Sequence, residues 1–216
     1  MPRYLEKVSI CWSSNFAYAI GLLTSDGYLS NDGRHMGLKS IDKELIIKFK
    51  SALLLKNRIG KGVRGGESIK KYFYVGFGDI VFYRFLNTIG LTSAKSKTIR
   101  AVKVPGRFFA DFLRGVFDGD GTFYTFWDTR WPNSFGYQIS FASASSDFIE
   151  WLKSMLTKYY HVKGFIRPGD GVHNLRYVKR DTRKLYSVMY HKKDLLYLKR
   201  KYIKIKTALD KDYNLH

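Results

Sequence analysis

The sequence predicts an α+β protein built from two similar halves. An apolar helix pattern that ends in Asp-Gly occurs twice, at Asp26-Gly27 and at Asp120-Gly121, and the two copies lie 94 residues apart. After each copy the residue pattern predicts a strand pair, an amphipathic helix, a second strand pair and another helix. A repeated order of this kind predicts two units with one architecture.

The first half starts with a helix that ends near Ser25, and Ser13 and Ser14 are suitable N-terminal caps for it. The sequence Asn31-Asp32-Gly33 is a strong turn signal and predicts a hairpin over residues 28–39. The remaining elements are a helix over residues 42–55, a hairpin over 57–78 around Arg64-Gly65-Gly66, and a short helix over 79–89 that Gly90 closes.

The second half repeats this order after a joining segment. Its predicted elements are a hairpin over residues 123–142 with a connection near Trp131-Pro132-Asn133, a helix over 145–160 capped by Ser145 or Ser146, strands within 165–189 with a turn at 168–171, and a short helix over 192–197. The expected boundaries are 1–97, 98–106 for the joining segment, and 107–216. Because the joining segment is short and moderately apolar, we expect the halves to pack tightly.

The charge balance points to an anionic partner. The chain of 216 residues has 38 Lys and Arg against 18 Asp and Glu, a formal net charge of +20. A hydrophobic content of 45% and an aromatic content of 17% exclude a disordered basic tail. A surplus of this size repels itself unless a polyanion balances it, and nucleic acid is the first candidate, ahead of an anionic membrane.

The chain lacks the patterns of secreted and membrane proteins. Its N-terminal sequence has no apolar run typical of a signal peptide, and no apolar stretch reaches the ~18 residues of a transmembrane helix. Cys11 is the single cysteine, so neither an intrachain disulfide nor a cysteine zinc site can form. We expect an intracellular protein, in a bacterial cytoplasm or an organelle.

Both apolar helices carry a strip with a spacing of four residues. The strips consist of Ala17, Gly21 and Ser25 in the first helix and of Asp111, Gly115 and Gly119 in the second. Residues four apart share one helix face. Glycine inside a helix costs ~1 kcal/mol relative to alanine, so Gly21 and Gly115 need a packing reason. A helix that packs against its own copy supplies that reason.

Such packing would bring Asp26 and Asp120 together. Two neighbouring carboxylates repel each other, and a divalent cation relieves the repulsion. Hard cations such as Mg²⁺ bind through one or two carboxylates together with water and substrate phosphates. With a polycationic surface beside the pair, the predicted substrate is a phosphodiester backbone and the predicted reaction is metal-assisted hydrolysis.

These residues carry a family resemblance. LRGVFDGDG, residues 113–121, resembles the LAGLIDADG motif of homing endonucleases, and AIGLLTSDG, residues 19–27, is a more diverged copy. The resemblance extends over nearly the whole chain and is to the single-chain branch with two motifs. It implies two α-β-β-α-β-β-α halves related by pseudo-two-fold symmetry. The motif helices would form their interface, and each half would lay a curved antiparallel sheet in the DNA major groove.

The resemblance also implies a function. The protein would be a homing endonuclease that acts as a monomer without an obligate protein partner. It would bind a long double-stranded DNA target and hydrolyse one phosphodiester in each strand. The cofactor would be Mg²⁺, with Mn²⁺ as a substitute and Ca²⁺ supporting binding without cleavage.

Individual residues take roles from this resemblance. Asp26 and Asp120 would be the metal-binding carboxylates, and Ser25 and Gly119 would offer backbone carbonyls. The first motif departs from the second in having Thr24 where Asp118 stands, at a position that usually serves the helix end.

Lysines are implied near the scissile phosphates. Lys95 and Lys199 match best, with ordinary phosphate contact or solvation as the open alternative. Lys39 would organise water in the first half, whereas Ala142 stands at this position in the second half and cannot do so. This asymmetry predicts unequal cleavage of the two strands.

The predicted strands supply many candidates for DNA contact, because every second residue of a strand points to one side. We expect more than half of them to contact phosphate or solvent rather than bases. The five histidines show no shared ligand spacing and are not interpreted as a metal site. The candidates are Tyr28, Ser30, Arg34, His35, Lys39, Arg58, Lys61, Arg64, Lys70 and Tyr72 in the first half, and Tyr124, Phe126, Asp128, Arg130, Tyr137, Gln138, Ser140, Arg167, His173, Asn174, Arg176, Lys179, Arg180 and Arg183 in the second.

Two other interpretations remain open at this level. The first is a catalytically silent nucleic-acid-binding protein of the same fold, either an intron maturase or a transcription regulator. The presence of both motif carboxylates favours the nuclease over it. The second is a basic RNA-binding structural protein, which explains the charge but not the duplicated Asp-Gly helix ends.

Overall fold

The computed structural model describes residues 6–64, 70–129, 131 and 134–215. The elements follow the same order in both halves until the last helix. The first half contains α1 (Ser14–Ser25), β1 (Gly27–Leu29), β2 (His35–Ser40), α2 (Lys43–Ala52), β3 (Gly60–Arg64), β4 (Lys70–Gly78) and α3 (Ile80–Thr88). The second contains α4 (Phe109–Asp120), β5 (Thr122–Trp127), β6 (Phe135–Ser143), α5 (Ser146–Tyr160), β7 (Phe165–Pro168), β8 (His173–Val178), α6 (Lys179–Met189) and α7 (Lys199–Asn214).

Each half contains one four-stranded antiparallel sheet. The strand orders are β1-β2-β4-β3 and β5-β6-β8-β7, so the two sheets have the same topology. In each half, the first strand pair follows the motif helix along the chain and precedes the amphipathic helix, as the sequence pattern predicts. The fold is therefore α+β with pseudo-symmetric halves.

Short polar side chains fix where the helices begin. Ser13, Asp42, Asp79 and Ser145 each accept a hydrogen bond from a backbone N–H in the first turn of α1, α2, α3 and α5. These bonds satisfy N–H groups that have no partner within the helix. The predicted caps at Ser13 and Ser145 are confirmed by this geometry.

The motif helices α1 and α4 lie side by side at the centre of the molecule. Nine residues of each are buried, which is why both read as apolar in sequence. Trp12 precedes α1 and stacks on Phe108, which precedes α4, with their ring centroids 6.4 Å apart. The two halves consequently share one hydrophobic core instead of packing as separate domains.

The end of the chain differs from the sequence prediction. Residues 179–189 were expected in strands, but they form α6, because Asp181, Thr182, Leu185 and Met189 are buried at helical spacing. Residues 192–197 are not the predicted helix; they form an irregular strap between α6 and α7 in which Asp194 has a φ of +61°. The long helix α7 was not predicted.

Some predictions fall on residues whose structure is not described. Gly65 and Gly66 of the predicted first-half turn lie outside the described residues, as do Pro132 and Asn133 of the second-half connection. Within the described part of the chain, none of the helices has the length and apolar character required to traverse a bilayer.

Candidate active site

The motif helices touch through glycine. A Cβ atom placed on Gly115 would overlap the backbone oxygen of Tyr18 and lie 2.9 Å from the Cα of Gly21. A Cβ atom on Gly21 would overlap the backbone oxygen of Phe112 in turn. Only glycine permits this approach of the two backbones, and the predicted contact between Gly21 and Gly115 is present.

The other residues of the predicted helix interface behave differently. Ala17 is fully buried in α1. Asp111 is also buried, but its carboxylate accepts a hydrogen bond of 2.8 Å from Arg114 of its own helix. The Arg114 guanidinium lies 5.3 Å from the ring centroid of Tyr18 on α1. Asp111 therefore contributes an ion pair and is not part of a smooth strip.

The close approach brings the two motif carboxylates together. Asp26 caps the C-terminus of α1 and Asp120 ends α4. The two carboxylates are close enough for each to affect the pKa of the other. Burial, and then the charge of Asp120, raises the pKa of Asp26 to about 6. Burial likewise raises the pKa of Asp120. Both shifts mean that the fully ionised pair is unfavourable without a compensating positive charge.

Two lysines, of which Lys95 is buried and Lys201 is half-buried, supply part of that charge. Lys95 is 5% exposed, and its Nζ donates a 2.7 Å hydrogen bond to the backbone oxygen of Gly27. The Nζ of Lys201 donates to the equivalent oxygen of Gly121 at 2.6 Å. Burial lowers the pKa of both lysines to about 8, while Asp26 and Asp120 oppose this shift. The two lysines are thus placed alike around the carboxylate pair.

Lys201 replaces the residue expected in this position. Sequence reasoning selected Lys199, but Lys199 is exposed and its backbone N–H donates to Glu44. The two residues are two positions apart in the first turn of α7, which begins at Lys199. A helix advances ~100° per residue, so among three consecutive basic residues only the helix phase decides which one points inward. Because α7 was not predicted, that phase was unknown.

Lys201 also binds the end of the second motif helix. Its Nζ lies 2.6 Å, 2.9 Å and 3.0 Å from the backbone oxygens of Phe117, Asp118 and Gly119. The carbonyl of Phe117 also accepts a 2.9 Å hydrogen bond from the backbone N–H of Gly121. A cation at a helix C-terminus is electrostatically favourable. The carbonyl of Gly119, expected to face a metal, is consequently shared with an ammonium group.

Ser25 and Gly119 occupy equivalent positions but are not alike. The hydroxyl of Ser25 donates to the backbone oxygens of Gly21 and Leu22 within α1, both at 3.2 Å. A Cβ atom on Gly119 would overlap this hydroxyl. Because the side chain of Ser25 fills this space, residue 119 has to be a glycine.

A second buried network connects α4 to the strap. Asp118 accepts a 2.8 Å hydrogen bond from the hydroxyl of Tyr18 and a 2.7 Å bond from the backbone N–H of Leu198. Arg114 is completely buried and donates to the backbone oxygens of Met189 and Leu196, both at 2.8 Å. Together these bonds hold the strap that leads into α7, and so they set the position of Lys201.

The sequence reasoning missed this network. Thr24, the counterpart of Asp118, bonds only within its helix, through the backbone oxygen of Ile20, which agrees with the expected helix-end role. Asp118 instead acts across the molecule. The available signal was Arg114, a charged residue in the middle of an otherwise apolar helix pattern, because a buried charge requires partners.

One cleft lies beside each carboxylate. The cleft beside Asp26 has a volume of about 670 Å³ and is also lined by Lys39, Ser40 and Arg200. The cleft beside Asp120 has a volume of about 240 Å³ and is also lined by Lys95, Ser96, Ala142 and Ser143. Lys39 and Ala142 hold equivalent sheet positions, as predicted. The first cleft is therefore larger, and it has more charged residues, because Asp118 also lines it.

The alternation of side chains divides the predicted DNA-contacting residues. Met36, Leu38, Val75 and Phe77 are buried against the helices, so the residues between them lie on the open face of the first sheet. In the second sheet, the residues that are buried against the helices are Ile139, Phe141, Leu175 and Tyr177, and the residues between them lie on its open face. The open faces contain these predicted residues: Tyr28, His35, Lys39 and Tyr72 in the first sheet, and Tyr124, Phe126, Gln138, Ser140, Arg167, Asn174 and Arg176 in the second.

Several predicted contacts are placed elsewhere. Tyr137 is fully buried, and its hydroxyl donates a 2.9 Å hydrogen bond to Asp212. Since Tyr137 and Gln138 are neighbours in one strand, they cannot both face the DNA. Lys61 pairs with Phe73 and His173 lies in register with Ser143, so both belong to the helix side of their sheets.

Three basic candidates lie on α6 rather than on a strand. Lys179 and Arg183 form ion pairs with the buried carboxylate of Asp212, and thereby fasten α7 to α6. Arg180 is 86% exposed. None of the three is on an open sheet face, so their predicted placement was wrong.

The remaining candidates lie in connections or outside the described part. Ser30, Arg34, Arg58 and Asp128 are in segments that flank the strands. The side chains of Arg64 and Lys70 lie outside the described residues, as does the whole of Arg130.

Residues 108–196 match the family model of the LAGLIDADG-like domain. The chain contains a LAGLIDADG-like domain. This domain includes α4 with Asp120 and the second sheet, and the first half repeats the same topology. The resemblance seen in the motif sequences is therefore confirmed. No curated protein sequence matches the chain.

Solved structures share the complete LAGLIDADG fold. The homing endonuclease I-LtrWI bound to target DNA is 12% identical, with a TM-score of 0.61 over 93% of this chain and 91% of that chain. The homing endonuclease I-DmoI in complex with DNA and Mn is 16% identical, with a TM-score of 0.53 over 83% of this chain and 97% of that chain. The N-terminal LAGLIDADG domain of DUF199/WhiA is 13% identical, with a TM-score of 0.55 over 95% of this chain and 100% of that chain.

At these identities the comparisons show the fold and not the activity. Homing endonucleases and a WhiA domain both share the architecture. The activity must therefore be argued from the site of this chain. Within the described residues, no three His, Cys, Asp or Glu side chains are grouped as ligands for a metal ion, so metal binding would depend on the paired carboxylates together with substrate and water.

Proposed function

We propose that this protein is a site-specific DNA endonuclease that hydrolyses one phosphodiester in each strand of a duplex. The observation that carries the proposal is the Asp26–Asp120 pair, whose pKa values are both raised by burial and which has Lys95 and Lys201 beside it. A purely structural site would gain stability by losing this like-charge pair. A site that binds divalent cations next to phosphate requires the negative charge of such a pair.

The donor set fits a hard divalent cation. Asp26 and Asp120 would hold Mg²⁺ ions, whose chemistry in such sites is to polarise a phosphoryl oxygen and to lower the pKa of water. The backbone oxygens of Ser25 and Gly119 lie next to these carboxylates along the chain. I-DmoI, with the same fold, has been crystallised with DNA and Mn, Mg or Ca. We infer Mg²⁺ as the working ion, Mn²⁺ as a substitute and Ca²⁺ as an ion that supports binding without cleavage.

The lysines would act on the phosphates. Lys95 and Lys201 each place an ammonium group beside the carboxylate pair, where it would balance the negative charge that develops on the scissile phosphate. Lys39, which is 5.1 Å from the ring centroid of Tyr28, would order water in the first cleft. The proposal transfers the role expected of Lys199 to Lys201.

DNA would lie across the two open faces. The formal charge of +20 supplies the sequence-independent attraction to phosphates. Both I-LtrWI and I-WcaI, which share the fold, have been solved with their DNA targets. One chain carries both sheets and both carboxylates, so a monomer would be sufficient for a complete site.

A second candidate is a binding protein that does not cut. The WhiA domain favours it, since its fold covers 95% of this chain. Incubation with a randomised duplex library in Mg²⁺, and in parallel with a chelator, separates the two. An endonuclease yields fragments with common ends only in Mg²⁺. Enrichment of intact duplexes without any cleavage would instead support the binding protein.

A further inference from the structure

The centres of the two open faces differ in chemistry. In the second sheet, Ser140 is paired with Arg176 across the strands β6 and β8. In the first sheet the equivalent pair on β2 and β4 is Gly37 and Gly76. A Cβ atom on Gly37 or Gly76 would lie 2.9 Å or 2.6 Å from the hydroxyl of Tyr28, so the Tyr28 side chain covers this region.

The second sheet holds polar atoms that lack hydrogen-bond partners. Among the described residues, the Nε2 of Gln138, the Oγ of Ser140 and the Nε of Arg176 are buried without a partner. Gln138 and Ser140 are both only 5% exposed. Buried polar groups in native proteins are nearly always paired, because an unpaired donor or acceptor costs free energy. Three such atoms on one open face indicate a ligand that completes them.

The equivalent position of Gln138 in the first sheet is already satisfied. His35 corresponds to Gln138 by strand register, and its Nδ1 lies 2.5 Å from the carboxylate of Asp32 in the adjoining turn. The first open face therefore offers glycine, a covering tyrosine and an internally paired histidine where the second offers three unpaired polar groups.

We propose that Gln138, Ser140 and Arg176 are the principal specificity-determining residues, and that sequence is read mainly by the second half. This inference rests on the proposed function and adds to it an unequal division of recognition. Arginine and glutamine donate to the purine N7 and O6 atoms exposed in the major groove. The set would thus select purines in its half of the target, whereas the first half would bind its half largely through phosphates and groove shape.

Gln138, Ser140 and Arg176 lie near the expected cleavage position beside Asp120. Ala142 lines the cleft beside Asp120, and Gln138 lies four residues before it in β6. A strand advances ~3.3 Å per residue, close to the rise of one base pair, so the bases read would lie within about four base pairs of the scissile position.

The test measures affinity in Ca²⁺ for duplex libraries in which each half of the target is randomised separately. Wild-type protein should select defined purines in one half and tolerate most sequences in the other within four base pairs of the cut. Arg176→Ala should reduce discrimination at one base pair of the strict half by about 5- to 150-fold. Arg180→Ala is the matched control, since it removes the same charge from exposed helix surface and should leave base preference unchanged.

The outcomes are distinguishable. Equal selectivity in both halves, or an Arg176→Ala variant that loses affinity uniformly for all sequences, overturns this inference and leaves the proposed nuclease intact. Binding without preference for any duplex overturns both. Because the wild-type libraries alone compare the two halves, the inference remains testable if Arg176→Ala does not fold, and Gln138→Leu then provides the second variant.

Discussion

In the first half, β2 ends beside Asp26 with Lys39 and Ser40, whereas in the second half β6 ends beside Asp120 with Ala142 and Ser143. The two carboxylates follow equivalent helices, and in each half a lysine is bonded to the carbonyl of the glycine that follows the carboxylate. The difference lies in the additional side chains. The two halves thus share the carboxylate and the lysine that cleavage of each DNA strand would require. The surrounding side chains would determine whether the two DNA strands are cleaved at equal rates.

Lys95 and Lys201 also share one type of contact and differ in the others. Lys95 makes a single bond to the backbone of the first motif, whereas Lys201 bonds to four carbonyls at the end of α4. Lys201 belongs to a helix with no counterpart in the first half, and the Asp118 and Arg114 network holds the strap before it. Lys95 and Lys201 therefore occupy equivalent positions although they belong to structurally different segments of the two halves.

The largest effect is expected where both halves meet. Gly115→Leu would drive a side chain into the backbone of α1 at Tyr18 and Gly21 and would displace both carboxylates. Overpacking costs ~1–3 kcal/mol, and we expect a lower melting temperature together with loss of cleavage of both strands. Leu113→Met, a volume-conserving change at a buried site of the same helix, is the control. Full cleavage at an unchanged melting temperature would contradict the close helix contact.

A smaller but large effect is expected at the lysines. Lys201→Ala should slow cleavage by about 10²–10³-fold, as does the loss of one preorganised group at other charged transition states. Lys199→Ala should have little effect, because its side chain is exposed. Single-turnover cleavage rates of the two variants decide between these neighbouring residues. If Lys199→Ala is the slower enzyme, the assignment drawn from the helix phase is wrong.

Substitutions of Lys39 and Ala142 would make the side chains in the two clefts more alike. If Lys39 orders water beside Asp26, Lys39→Ala should slow cleavage of one strand by about 10²-fold, the lower end of the range for groups that assist proton transfer. The other strand should be unaffected, and Ala142→Lys should accelerate it. Nicking rates measured with each strand labelled separately test this pair. Equal slowing of both strands by Lys39→Ala would show that its role is not confined to one cleft.

The smallest effect concerns stability and pH. Burial raises the pKa of Asp26 to about 6 and also raises that of Asp120. Between the ordinary carboxyl pKa and about 6, the folded protein therefore holds more protons than the unfolded chain. Its free energy of unfolding then falls as pH rises through this window. Lys95 and Lys201, with pKa values of about 8, remain charged throughout it.

Asp120→Asn removes one charge of the pair and should relieve this loss. In a chelating buffer it should raise the melting temperature at about pH 7 more than at about pH 4.5. The difference should be about 2–4 °C for each ~1 kcal/mol recovered. Asp147→Asn, at a carboxylate that is 59% exposed, is the control. The same stabilisation by Asp120→Asn at both pH values would show that the carboxylates do not repel each other.

Local patterns were sufficient to predict most of the fold. The caps at Ser13 and Ser145, the turn at Gly33 and the helix contact at Gly21 and Gly115 depend on neighbouring residues or on one repeated spacing. The repeat then predicted the order of strand pairs and helices in both halves, and the family resemblance implied one antiparallel sheet in each. The Asp26 and Asp120 pair followed from the same repeat, because equivalent helix ends meet at a pseudo-two-fold axis.

The incorrect predictions share a different cause. Residues 179–189 were assigned to strands because the closing helix of the second half was placed at 192–197. The burial of Asp181 and Thr182 shows the helical phase of α6 only in the folded protein. Lys201 could not be distinguished from Lys199 without the start of α7. Tyr137 was placed on the DNA side although strand alternation separates it from Gln138. Long-range partners, such as Asp212 for Arg183, determine these positions.

The paired carboxylates are the central claim, and their direct test is cleavage of a selected duplex in Mg²⁺ with affinity measured in Ca²⁺. Asp26→Asn and Asp120→Asn each keep the side-chain shape and remove one negative ligand. Each variant should lose double-strand cleavage and bind DNA as tightly as the wild type or more tightly, because binding rests on many basic contacts. Cleavage of both strands at the wild-type rate by either variant would contradict the account.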